Sequence, residues 1–146
     1  MDGLKTALVT GASRGIGESF ARQLAAQGMD LVLVARAEYR LQELAAGLSA
    51  AHGVRVHVVA RDLAVPGAAG QVWAETERLG LEVDLLVNNA GVGRQGAFAE
   101  VDHDFLAAMV RLNVEAVVDM TRLYLPGMRA RRRGGIINVA SKIGRA

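Results

Sequence analysis

The chain has 146 residues, 51% hydrophobic and 22% charged, and its 17 basic and 15 acidic side chains leave a net charge of +2. These are ordinary globular values for one core. The absence of cysteine excludes disulfides, zinc thiolate sites and thiol catalysis, and no stretch approaches the roughly 18 consecutive apolar residues of a membrane span.

The chain opens with Thr6 to Thr10 (TALVT), a short β-branched run that predicts a strand and is too brief for a signal h-region. Ile16, Phe20 and Leu24 then recur at helical spacing, and Gly28 marks the stop. Leu31 to Ala35 predicts the second strand; Leu41, Leu44 and Leu48 predict the second helix, closed by Gly53. The third strand falls at Val54 to Ala60. Ala68, Val72, Thr76 and Leu79 make the third helix, which ends at Gly80. Val83 to Asn88 is the fourth strand. Phe105, Met109 and Leu112, continued by Val117, Met120 and Tyr124, form a long helical stretch before a fifth strand at Ile136 to Ala140.

Strands alternating with helices of this length predict an α/β fold, a doubly wound parallel sheet covered on both faces. Val54-Arg55-Val56-His57-Val58 alternates apolar with polar, unlike the other runs. A wetter strand belongs at an edge, which the order 3-2-1-4-5 provides for the third strand. The basic run Arg129-Ala130-Arg131-Arg132-Arg133 is local, and it reads as a solvated helix end suited to the negative pole of the dipole. No nucleic-acid stripe is expected. His52, His57 and His103 are isolated, so no metal site is expected either.

Gly11-Ala12-Ser13-Arg14-Gly15 satisfies two patterns. As G-x-S-x-G it would be a nucleophile elbow with Ser13 attacking an acyl group. As a glycine-rich turn it would cradle a phosphate against a helix N-terminus. The elbow needs a base, an orienting acid and an oxyanion loop from an earlier strand, and this turn follows the very first strand. The cradle is the better reading. Gly11, Gly15 and Gly17 permit a tight turn and close backbone approach to a pyrophosphate, with Ser13 as a phosphate contact.

Thr10-Gly11-Ala12-Ser13-Arg14-Gly15-Ile16-Gly17 resembles the cofactor motif of the short-chain dehydrogenase/reductase family. Asp62-Leu63 after the third strand, Asn88-Asn89-Ala90-Gly91 after the fourth, Asn113 within Leu112-Asn113-Val114, and Ser141 after the fifth follow that family's order and spacing. The resemblance implies a Rossmann fold over residues 1–146. It also implies that Asp62 bonds the adenine amino group with Leu63 beside the ring, and that Asn89, Ala90 and Gly91 line the adenosine ribose. Ile16 belongs to the same cofactor-binding set.

Cofactor choice is read at the end of the second strand, where an acid selects the 2'-hydroxyl of NAD and an arginine the 2'-phosphate of NADP. That strand ends in Ala35-Arg36, and Asp30 lies at its other end. With Arg14 in the glycine turn, two arginines and no carboxylate predict NADP, with NAD the weaker candidate.

The reaction implied by the resemblance is hydride transfer between the nicotinamide and a carbonyl or alcohol carbon of a small molecule. A tyrosine acts as acid/base beside a lysine, with Ser141 orienting the carbonyl and Asn113 supporting a water relay. The family's Y-x-x-x-K would fall about a dozen residues past Ser141, beyond Ala146, together with the substrate loop and the last strands. The sheet is therefore expected to be incomplete and the chain as given inactive. The expectations are completed by a cytoplasmic protein and self-association through the Phe105 to Met128 stretch. A dinucleotide-binding protein without catalysis is the alternative.

Overall fold

A computed structural model describes residues 3–140. Five parallel strands, β1 (Thr6–Thr10), β2 (Asp30–Ala35), β3 (Val56–Ala60), β4 (Leu85–Asn88) and β5 (Gly135–Asn138), form one sheet in the order β3-β2-β1-β4-β5. The connecting helices are α1 (Gly15–Ala26), α2 (Glu38–His52), α3 (Ala68–Arg78), α4 (His103–Val110) and α5 (Ala116–Arg131). A π-turn, Arg111–Glu115, joins α4 to α5 without breaking the helix.

Strand residues alternate between two cores because successive side chains point to opposite faces. Ala7, Val9, Leu31, Leu33, Leu85 and Val87 pack on α1 and α2 through Ala21, Leu24, Leu41 and Leu48. Leu8, Val32, Val34 and Leu86 pack on α3 and α5 through Val72, Ala116, Met120 and Tyr124. Leu8, Leu31 and Leu33 are fully buried, and each such side chain stabilises the fold by about 1.5–3 kcal/mol. Gly28, Gly53 and Gly80 follow α1, α2 and α3 with φ of 80°, 69° and 66°, the left-handed conformation expected past a helix end. β3 is an edge strand and only Val59 in it is buried, as its alternating sequence leads one to expect.

Two sequence expectations change. Ile16 does not share the core face of Phe20 and Leu24; it is 60% exposed at the start of α1. The arginine run is not simply a solvated helix end. Arg133 donates from Nε to Oδ1 of Asp84 at 2.9 Å, and Arg131 donates from Nη2 to the carbonyl of Val83 at 2.9 Å. Asp84 is completely buried just before β4, and its other oxygen accepts from the backbone N–H of Lys5 at 2.8 Å. A buried charge must be paired or hydrogen-bonded, so the arginines turn inward to meet it. Asp30 is the first residue of β2, where its carboxylate holds the Arg55 side chain at 2.6 and 2.9 Å. Ion pairs thus collect at the N-terminal ends of the strands.

Candidate functional site

At the C-terminal ends of the strands lies an open cleft of about 810 Å³. Its floor is the turn from β1 into α1. Gly11 and Gly15 take φ of 64° and 59° there, which residues with a Cβ rarely adopt. A Cβ on Gly11 would lie 2.9 Å from both the Ala90 Cα and the Asn89 Nδ2, whereas one on Gly15 would project into open space. Arg14 holds the cap position of α1 with no side chain bonded to the helix amides. The first N–H groups of α1 therefore lack a side-chain acceptor and, with Gly15 and Ile16 lining the cleft, are offered to it. Gly17 does not line this cleft. It packs against the Gly11 carbonyl and the Asn89 amide, so it permits helix and strand to approach.

Thr10 ties this floor to β4. Its buried Oγ1 accepts from the backbone N–H groups of Asn89 and Ala90 at 3.0 and 2.9 Å and donates to the Val87 carbonyl at 3.3 Å. Asn89 answers with Nδ2 donated to the carbonyls of Thr10 and Gly11. Beside it, Asn88 is buried and donates to Asn138 Oδ1 at 2.9 Å, fastening β4 to β5. The carboxamides after β4 thus shape the wall where Asn89, Ala90 and Gly91 border the cleft.

The remaining walls come from β2 and β3. Val34 to Ala37 and Arg40 form one, and Arg61, Asp62 and Leu63 the next. Asp62 Oδ1 accepts from the Ala64 N–H at 2.9 Å, which bends the chain after β3 back toward the sheet. Four arginines, Arg14, Arg36, Arg40 and Arg61, face the cleft against the single carboxylate of Asp62. Among the described residues none of the four forms an ion pair, while Arg22, Arg55, Arg78, Arg131 and Arg133 all do. The cleft is electrostatically unfinished and suited to a polyanion.

Of the residues singled out in the sequence, Gly11, Ser13, Arg14, Gly15, Ile16, Arg36, Asp62, Leu63, Asn89, Ala90 and Gly91 all border this cleft. Ser13 has no histidine on the cleft walls to activate it, which removes the elbow reading. Asn113 sits in the π-turn, a deformation frequent at functional sites. Its Oδ1 accepts from Val92 N–H at 2.9 Å and its Nδ2 donates to Val92 O at 2.8 Å, so the side chain holds the loop after β4. Leu112, not Asn113, lines the cleft. Ser141 lies outside the described residues. Arg40 and Arg61 were missed, although Arg40 stands one helical turn after Arg36 and Arg61 directly precedes Asp62.

Both tyrosines are engaged elsewhere. Tyr39 is 72% exposed on α2 and donates to Glu43 at 3.1 Å. Tyr124 is buried against Thr76 at 2.9 Å, and burial pushes its phenol up to about 12. Among the described residues no group of three His, Asp or Glu side chains gathers as a metal-ligand set, and no helix is long and apolar enough to cross a membrane.

The sequence matches the family model for short chain dehydrogenases over residues 5–146. The chain belongs to that family. The very-long-chain 3-oxoacyl-CoA reductase-A of Danio rerio is 35% identical over 96% of the chain and 44% of its own length. Among solved structures, a short-chain dehydrogenase from Sphingobium yanoikuyae in complex with NADPH superposes with a TM-score of 0.88 at 36% identity, covering 94% of this chain and 54% of that one. The L-sorbose reductase of Gluconobacter frateurii, complexed with NADPH and L-sorbose, gives a TM-score of 0.86 at 40% identity over 92% of this chain and 51% of its own. This short-chain dehydrogenase sequence spans under half the length of these curated relatives.

Proposed function

We propose that this chain is the NADP-binding part of an oxidoreductase that moves a hydride between the nicotinamide and a carbonyl or alcohol carbon. The observation that carries the reading is the cleft itself: a glycine turn at an uncapped helix, with four unpaired arginines and no carboxylate at the end of β2. The fit follows from charge and shape. Gly11, Ser13 and Gly15 would receive the pyrophosphate, Arg14 and Arg36 the 2'-phosphate, Asp62 and Leu63 the adenine, and Asn89 to Gly91 the ribose. When bound, the cofactor supplies the hydride, and the protein's part is alignment and proton delivery. Asn113 and Ser141 would serve that delivery, Asn113 by fixing the loop after β4. NADPH in two structural relatives supports the cofactor, and the relatives' names support a carbonyl or alcohol substrate.

Titration of the chain with NADPH and NADH tests this. Tighter NADPH binding, reversed or abolished by Arg36→Asp, is expected; equal affinities would sink the NADP reading.

A second reading, binding without catalysis by these 146 residues, is favoured by the remote positions of Tyr39 and Tyr124. It predicts NADPH binding with no carbonyl reduction, and turnover by the purified chain would refute it. For the whole protein, self-association through α4 and α5 is supported by Val110, Val114 and Val118, which are 55%, 56% and 59% exposed at four-residue spacing.

A further inference from the structure

The turn after β3 forms a cleft wall one side chain thick. Leu63 is buried, and it borders the cleft on one side and a second pocket of about 10 Å³ on the other. That pocket has room for one water at most. Val65 and Ala69 share its lining with Arg111 and Glu115, so it marks the seam between this turn and the π-turn. Within the turn, the Ala64 N–H donates to Oδ1 of Asp62 at 2.9 Å, and the Val65 N–H donates to the Asp62 carbonyl at 3.1 Å. Across the seam, Arg111 donates from Nε to the Ala64 carbonyl at 2.9 Å, 47 residues away in sequence. Ala64 is therefore gripped at both of its backbone polar groups. Oδ1 of Asp62 is committed to that grip, while Oδ2 has no partner among the described residues, in a residue that borders the cleft.

We propose that Arg111 is a positioning residue for adenine recognition: by holding the Ala64 carbonyl, it fixes the Asp62 carboxylate so that the free oxygen accepts from the adenine amino group. The proposal rests on the placement of adenine at Asp62 and Leu63 above. Arg111 borders the second pocket and not the cleft, so it acts through Ala64 and touches no part of the nucleotide. Asn113, two residues on, holds the loop after β4 in the same way. One π-turn thus braces two walls of the cleft, the β3 wall through Arg111 and the β4 wall through Asn113. Without the Arg111 donor, the Ala64 carbonyl loses its partner and the carboxylate it steadies is free to swing. Leu63 still packs in the core with Ala68, Ala69 and Ala116, so the rest of the wall stays in place.

Calorimetric titration with 5'-AMP and inosine 5'-monophosphate, in which a carbonyl oxygen replaces the adenine amino group, provides the test. The native chain should bind 5'-AMP about tenfold more tightly, as expected for one hydrogen bond to a charged group. Arg111→Met keeps the stem without a donor. It should weaken 5'-AMP about fivefold and leave the inosine nucleotide within about twofold. Arg111→Gln sets its Nε2 where the arginine has Nε, keeping the donor without the charge, and should retain most of the preference. An unchanged ratio of the two affinities in Arg111→Met overturns the proposal. So does an equal loss for both probes, the mark of a merely structural role, or a glutamine variant as indiscriminate as the methionine one. No preference in the native chain overturns the placement of adenine at Asp62 as well. A measurement on the native chain stands even where Arg111→Met does not fold. Because coupling is reciprocal, saturation with 5'-AMP should slow solvent exchange of the Arg111 Nε–H in NMR spectra more than saturation with the inosine nucleotide, and equal rates overturn the proposal.

Discussion

The side-chain nitrogen of Asn89 lies 2.5 Å from the point that a Cβ on Gly17 would occupy. Helix α1 can seat against the end of β4 only because residue 17 has no side chain. Gly17→Ala must displace both the Asn89 amide and the Gly11 carbonyl, the second being backbone in the glycine turn. A loss of about 1–3 kcal/mol in urea unfolding is expected, as for overpacking elsewhere, together with weaker NADPH binding. Unchanged stability would show that the turn at Gly11 yields to the added methyl without cost.

Thr10→Val removes the hydroxyl that serves the Asn89 and Ala90 N–H groups while keeping its volume. Two buried or half-buried donors then lack a partner, at about 1–3 kcal/mol each if no water replaces the hydroxyl. Chemical denaturation should register at least about 1 kcal/mol. Thr10→Ser, which retains the acceptor, should recover most of it.

Asp84 controls acid stability. Burial alone would raise its pKa, but the Lys5 N–H, the Arg133 guanidinium and the Thr6 N–H outweigh that, and the net displacement is downward from 3.8. The folded chain therefore keeps the carboxylate charged where the unfolded chain has begun to protonate it. Its contribution is complete above about pH 5 and is lost as the pH falls through 3.8 toward the lower folded value. Asp84→Asn should cost about 2–3 kcal/mol at pH 7, toward the low side for a broken buried pair because Arg131 and Arg133 still reach water. It should also flatten the acid limb of the stability curve. A native-like acid limb in Asp84→Asn would assign acid sensitivity to other groups.

The strands were legible because each apolar run is short and bounded by glycine or polar residues, and Thr6–Thr10 appears with the same limits in the fold. The cleft was legible where its residues sit inside local motifs. Arg61 lies outside the family motif that starts at Asp62, and its nearness to Arg36 follows only from the register that pairs Ala35 with Ala60 across β2 and β3. The inward turn of Arg133 was hidden for a similar reason, since its partner Asp84 is 49 residues away. A lone acid within the apolar run Val83 to Asn88 was the one available signal. Asn113 shows the reverse case: its motif located it, but the two bonds to Val92 appear only when the helix closes over the loop.

Tyr124 sets an alkaline limit. Its folded pKa is raised from 10.0 to about 12, so the folded chain retains a proton that the unfolded chain releases. The associated stability is present below pH 10 and fades as the pH climbs toward 12. Tyr124→Phe removes the bond to Thr76, which still donates to the Trp73 carbonyl at 2.8 Å. Thermal unfolding should show a cost near about 1 kcal/mol at pH 7. The same variant should lose less stability than the native chain between pH 9 and 11, and parallel curves would contradict the assignment.

The two rims of the sheet carry opposite kinds of charge. Where the strands begin, Asp30 with Arg55 and Asp84 with Arg131 and Arg133 are neutralised in place. Where they end, Arg14, Arg36, Arg40 and Arg61 are left in excess. Changes to the charged side chains of the first rim should move melting temperature and leave ligand affinity nearly untouched, while changes to the arginines of the second should do the reverse. A designer could therefore harden this scaffold and retune what it binds as two independent tasks, working from opposite ends of the same five strands.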